Sequence, residues 1–276
     1  MRRLVTNPMI IKELRQRLRE RRSWLLPTLY LLVLSGIVAC VYYFSTDTEN
    51  RLHGAEVQGA DIGQAIFLAV VLTQISVLLL MAPVFSSGAI TIEREQRTLG
   101  GLLTSLLTAP QIWWGKFVAA LLYLLLLLIS ALPLMALPFA FGGVEPLEFV
   151  KAFGSIVLTL ASICTLGLWC SAMFRRSVHA TATCYAIVLV LTVVTAIAFG
   201  MMYSHWQQSH QGPPGPPAHI QAVLFFNPYY PLLALIDVNE FRFFAYPVSS
   251  WLMFAAVGCL AAAFAMRSLQ RSGEQL

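Results

Sequence analysis

Six stretches of this chain, residues 24–44, 64–85, 117–141, 152–174, 179–203 and 248–266, are almost unbroken runs of apolar side chains. Each is about 20 residues long, which as an α-helix matches the hydrocarbon thickness of a bilayer. Backbone amides and carbonyls in lipid find no water, so runs of this kind must close their hydrogen bonds within a helix. Composition leaves no alternative: 58% of residues are hydrophobic and 11% charged, too little polar surface to solvate a 276-residue globule. The expected fold is therefore an all-α integral membrane protein with six transmembrane helices, one domain over residues 1–276. The first run is long enough to span, and no small-residue cleavage site follows it, so it is not read as a removable signal.

Orientation follows from the basic residues. With the N-terminus placed in the cytoplasm and the sides alternating, all of the 18 Lys and Arg except Arg51, Lys151 and Arg242 fall in cytoplasmic segments. This is the positive-inside pattern, with both termini cytoplasmic in a multi-pass plasma (inner) membrane protein. The pI near 9.1 thus reports topology and gives no support to nucleic-acid binding. Five cysteines (Cys40, Cys164, Cys170, Cys184, Cys259) lie inside spans with no CxxC spacing, and are read as small packing residues.

Between the spans, four segments have character. Residues 1–23 begin with Asn7-Pro8, a capping side chain before a proline that suits a first helical turn. Ile11, Leu14 and Leu18 then share one face while Lys12, Arg15, Arg19 and Arg22 occupy the others, a basic amphipathic helix for the cytoplasmic membrane surface. In the third span Pro133 and Pro138 predict a bend. In the fourth, Ala152, Ser155, Thr159 and Ser162 make a small, weakly polar stripe suited to close helix packing. Residues 204–247 open on a Pro/Gly tract and continue into the apolar stretch 220–236, which Asn227, Pro228 and Pro231 break. That stretch is expected to be an outer re-entrant or interfacial hairpin within an extracytoplasmic loop, buried against protein.

Several chemistries lack their residues. There is no GxxxxGK[ST] phosphate loop, no HExxH and no GxSxG, so no catalytic or metal site is assigned. No acid sits mid-span to relay protons. His205, His210 and His219 cluster in the outer loop without ligand spacing and are read as solvated.

The segment 86–116 is different. It is charged and partly amphipathic between two apolar runs, with Glu93, Arg94, Glu95 and Arg97 followed by Thr98, Leu99, Leu102 and Leu103, and with Gly115-Lys116 opening the third span. The run resembles the E-R-E-x-x-T-L…L-L-T loop and Gly-Lys pair of type-2 exporter permeases of the ATP-binding cassette (ABC) superfamily. The opening Asn7-Pro8 with Lys12, Glu13, Leu14 and Arg15 is similar to the N-P-x-x-x-K-E-L-R start of that class, and six spans with a broken insert before the last fit it as well. Gly100 and Leu106 depart from the pattern, at places where an acid and a proline are common.

The resemblance implies a cytoplasmic coupling helix that docks a separate ATPase subunit through Glu93, Arg94, Glu95, Arg97, Thr98, Leu99, Leu102 and Leu103, with Lys12, Glu13 and Arg15 on the interface helix. It implies two ATPase copies that consume ATP and Mg, a second permease subunit as homodimer or heterodimer, and no cofactor bound directly. The chain is then no enzyme by itself: it couples hydrolysis elsewhere to substrate movement. The alternative is an assembly or signal-transmitting subunit that docks an ATPase without transport. Uniformly apolar spans mildly favour a hydrophobic or amphipathic cargo.

Overall fold

A computed structural model describes residues 25–51, 59–97, 109–209, 218–233 and 247–274. The described residues are helical throughout, apart from turns, and contain no strand. Six of the helical stretches are long and apolar enough to cross a membrane, so this is an all-α integral membrane protein. The helices are α1 (Leu25–Arg51), α2 (Gly59–Ser86), α3 (Thr91–Glu95), α4 (Ala109–Ser130), α5 (Leu132–Phe141), α6 (Pro146–Met173), α7 (Ser177–Leu189), α8 (Thr195–Ser209), α9 (Ala218–Leu224), α10 (Tyr230–Leu233) and α11 (Pro247–Glu274). One π-helical turn, Val190–Val194, joins α7 to α8. The N-terminal amphipathic segment, with Lys12, Glu13 and Arg15, lies outside the described residues.

The helix α6 is the centre of the bundle, buried along most of its length, whereas α1 and the α7–α8 rod expose nearly all of theirs. It starts where the sequence gives two signals at once. Pro146 occupies the first turn, where no amide is needed, and the Glu148 carboxylate accepts the Glu145 N–H at 3.2 Å. Its stripe of small residues does pack closely: among the described residues α6 packs most extensively against α11. There Ser162 donates to the Phe254 carbonyl at 2.7 Å and Trp251 donates its indole N–H to Ser155 Oγ at 2.9 Å. Gly258 of α11 faces Ser162 and Thr165, where a Cβ would make ordinary contacts of 3.4–3.5 Å.

The third span is interrupted at Pro133, whereas Pro138 sits inside a continuous helix. α4 stops at Ser130 and α5 restarts at Leu132 with Pro133 in its first turn. Gln74 of α2, fully buried, donates to the Leu128 carbonyl beside this break at 3.4 Å. That carbonyl also accepts the Ala131 N–H at 3.3 Å. At the same end as the C-terminus of α5, Gly143 adopts φ +86° and presses on Ala60, at the start of α2, so closely that a Cβ would overlap the Ala60 carbonyl. At the opposite end a Cβ on Gly167 of α6 would lie 2.7 Å from Ser86 Cβ of α2. Glycine closeness therefore fixes both ends of the α2–α5–α6 core.

Candidate functional site

The charged motif folds into α3, a helix of five residues that follows a turn after α2. It ends because Arg97 enters the left-handed region at φ 57°, a conformation that stops helix propagation. Its start is held by Ser171 near the end of α6, whose hydroxyl oxygen accepts both the Ile90 N–H at 2.9 Å and the Thr91 N–H at 3.0 Å. Helix starts leave such amides without intrahelical partners. Here a side chain from another helix supplies one.

Each of the three consecutive charges then reaches a different helix. Glu93 forms an ion pair with Lys116 of α4, Oε1 to Nζ 2.8 Å, and Lys116 also donates to the Ala89 carbonyl at 2.6 Å. Lys116 is 1% exposed, so this is a buried cation held by a carboxylate and a carbonyl. Arg94 donates to the Phe174 carbonyl at 2.9 Å and the Ala172 carbonyl at 3.4 Å, at the C-terminal end of α6. Glu95 accepts the Ser177 N–H at 2.7 Å, the first amide of α7. The sharp turn 174–176 separates those last two contacts.

The signs are the ones that helix dipoles favour. A guanidinium sits on the partly negative end of α6 and a carboxylate on the partly positive end of α7. The Coulombic and hydrogen-bonding preferences of both termini are met by neighbouring residues of one short helix. Consequently α3 is joined to α4, α6 and α7, and follows α2 in the chain. Beside it Trp113 stacks on Phe117 with centroids 5.2 Å apart, and Trp113 is almost wholly buried.

The sequence reading places Glu93, Arg94, Glu95 and Arg97 on a surface offered to a soluble partner. Glu93 and Arg94 are half-buried against α4 and α6, Glu95 bonds the start of α7 while staying exposed, and Arg97 and Ile92 are exposed. Thr98, Leu99, Leu102 and Leu103 lie outside the described residues. Ser171 was not legible as part of the site, since one serine near the end of an apolar span carries no signal of its own. Lys116 carried more: it is a lone cation on an otherwise apolar helical face, which requires a buried anion. Of the outer histidines, His205 is exposed on α8, His210 lies outside the described residues, and nothing is described of the His219 side chain.

Residues 218–233 form α9, a turn and α10, packed on α8, α6 and α11. Ile220, Leu224, Tyr230 and Leu232 are buried. Asn227, in the turn, meets Thr192 and Thr195 near the middle of the α7–α8 rod, and Tyr229 meets Ser76 near the middle of α2. The breakers that stop this segment from spanning are thus inside the bundle. Three cysteines, Cys164, Cys170 and Cys184, are buried, but Cys40 and Cys259 are exposed on outer helix faces rather than packed.

No curated protein matches the chain. A family model does: the one described as ABC-2 family transporter protein matches residues 8–266, a range that includes all six spans and the whole α3 site. The chain therefore belongs to the ABC-2 transporter family and is a membrane permease component of an ABC system, a class that lacks an ATPase of its own and generally works with an ABC ATPase subunit.

Proposed function

We propose that this chain is the permease half of an ABC exporter, in which ATP hydrolysis by a separate ATPase pair moves α3 and, through it, the spans. The observation that carries the reading is the distribution of Glu93, Arg94 and Glu95 onto α4, α6 and α7. A displacement of α3 cannot be absorbed locally, because three stiff helices are bonded to it. Arg97, exposed at the helix end, and the following residues Thr98, Leu99, Leu102 and Leu103 would make the contact with the ATPase cleft. Glu93, Arg94 and Glu95 would transmit the motion to α4, α6 and α7, and Glu95, itself exposed, is open to the partner as well.

In this arrangement the α3 end faces the cytoplasm of a plasma membrane, as the basic residues require. The α9–α10 pair would then enter from the outer side as a re-entrant hairpin. Two permeases would pair through exposed apolar faces such as Leu29, Leu32 and Val33 of α1 and Val193 and Ile197 of the fifth span, to be served by two ATPase subunits that use ATP and Mg. The cargo best suited to apolar walls is hydrophobic or amphipathic.

The test is purification of the tagged chain from its native membrane in mild detergent, with identification of bound proteins. A stoichiometric P-loop ATPase that is retained by the wild type and lost with Arg97→Glu supports the docking role. A chain that purifies without an ATPase would overturn it. ATP-dependent movement of a lipid-like cargo in proteoliposomes separates transport from mere signal transmission, since a transmitter moves nothing.

A further inference from the structure

The fifth span is not a continuous α-helix. Its π turn, Val190–Val194, holds one more residue per turn than the α geometry on either side. At 3.6 residues per turn, one extra residue rotates everything beyond it by about 100° relative to an uninterrupted α-helix. The side chains that α8 shows to its surroundings therefore depend on whether the wide turn persists.

A wide turn displaces carbonyls from their usual amides, and in a membrane those carbonyls need partners. Two come from the rod itself: Thr192 donates to the Val188 carbonyl at 2.9 Å, and Thr195 to the Leu191 carbonyl at 2.7 Å. A further donor comes from outside, onto the Thr192 carbonyl that the Thr195 N–H also reaches. The Asn227 side-chain nitrogen donates to the Thr192 carbonyl and to Thr195 Oγ1, both at 3.0 Å. The orientation of that amide is settled by its other atom, because Asn227 Oδ1 accepts the Tyr229 N–H at 2.9 Å. Both of its N–H donors therefore point at the rod.

The frame behind Asn227 is firm. The residue is 4% exposed, and its own amide N–H donates to the Leu224 carbonyl at 2.8 Å. Ser76 spends its hydrogen on the Leu72 carbonyl at 2.6 Å, so Tyr229 must be the donor in the 2.9 Å contact with Ser76 Oγ. On the other side of the π turn, α7 is also fixed. Thr181 bonds Ser87, Ser177 bonds Glu95, and Tyr185 donates to the Leu80 carbonyl. If the wide turn relaxed to α geometry, α7 would hold and α8 would turn.

We infer that Asn227 is a positioning residue that holds the fifth span in its π-turned register and so sets which face of α8 is presented. This holds whether or not the protein moves a substrate, and it is independent of the docking role of α3. The measurement is a nitroxide scan of residues 196–202 for oxygen accessibility, in a chain with the exposed Cys40 and Cys259 changed to serine. In the wild type the maxima fall at Ile197 and Met201, both exposed.

In Asn227→Leu the accessibility pattern of α8 shifts by about 100° in phase, while a reference scan around Val178 of α7 keeps its phase. Deleting Val193 from the Asn227→Leu chain removes the extra residue and restores the wild-type phase. A simple packing defect at residue 227 would not respond to a deletion in another helix. An unchanged phase in Asn227→Leu overturns the inference, as does a shift that the deletion fails to restore. Should Asn227→Leu not fold, recovery of folding and phase together on deleting Val193 supports the inference, and no recovery overturns it.

Discussion

Replacing Lys116 by methionine keeps most of the length of the side chain and removes its charge, which makes it the most exacting probe of the α3 site. The ion pair spans 2.8 Å, for which Coulomb's law at an effective dielectric constant of about 20 gives roughly 6 kcal/mol of attraction. Removing both charges from water offsets much of that, but removing only one leaves the other stranded, at a cost of about 3–5 kcal/mol. Lys116→Met also strips the Ala89 carbonyl of its donor. The expected loss is therefore at the upper part of that range. Glu93→Leu keeps the Ala89 contact but strands the more deeply buried charge, Lys116 at 1% exposed against 17% for Glu93, so it should cost about as much. The double variant Glu93→Leu/Lys116→Met should recover most of the loss, since an apolar pair replaces a buried salt bridge at little cost, but should stay about 1–3 kcal/mol short of the wild type because the Ala89 carbonyl still lacks its donor.

The assay is reversible unfolding from mild detergent micelles with added sodium dodecyl sulfate, followed by tryptophan fluorescence. Trp113, stacked on the residue next to Lys116, gives a local signal. Two single variants both within about 0.5 kcal/mol of wild type would refute the reasoning, for surface-like pairs give values of that size. A double variant no better than the worse single would refute it as well.

Three further outcomes follow from the same geometry. Gly167→Ala places a methyl against Ser86 and should destabilise the α2–α6 pair by about 1–3 kcal/mol, the usual cost of overpacking; Ser86→Gly in the same chain should recover most of the loss in the same unfolding assay. Ser171→Ala leaves the Ile90 and Thr91 amides without their shared acceptor, about 1–3 kcal/mol per stranded group, and hydrogen exchange should accelerate in residues 90–95 before it does elsewhere. Gly143→Val combines a disfavoured φ of +86° with a clash on Ala60, so thermal stability in detergent should fall, and by more than for Gly154→Val, where a Cβ meets nothing.

The spans were legible because apolar length is a one-dimensional property: lipid demands it residue by residue, and no tertiary contact is needed to recognise it. The interruption at Pro133 was legible for a similarly local reason, since the ring and the missing amide act on their own helix. What the charged motif does inside the fold was not legible. Glu93, Arg94 and Glu95 look alike as exposed charges until the ends of α6 and α7 are placed beside them, and those ends lie roughly 80 positions further along the chain. The same holds for Asn227. In sequence it is one half of a turn-forming Asn-Pro pair, and only the fold reveals a π turn opposite it. A π turn itself leaves no pattern in composition, because VLTVV reads as ordinary apolar helix.

The arrangement of Arg94 and Glu95 over the turn 174–176 has a directional consequence. In a helix every N–H points toward the N-terminus and every C=O toward the C-terminus, so a helix end followed by a helix start always presents negative and then positive charge. A short segment that bridges such a turn must carry its cation and its anion in a matching order. Exchanging the two residues would preserve composition, net charge and helix propensity, yet set repulsion at both contacts. The order of two adjacent letters thus acts as a key that fits one turn in one direction, and the N-to-C polarity of the backbone cuts the lock.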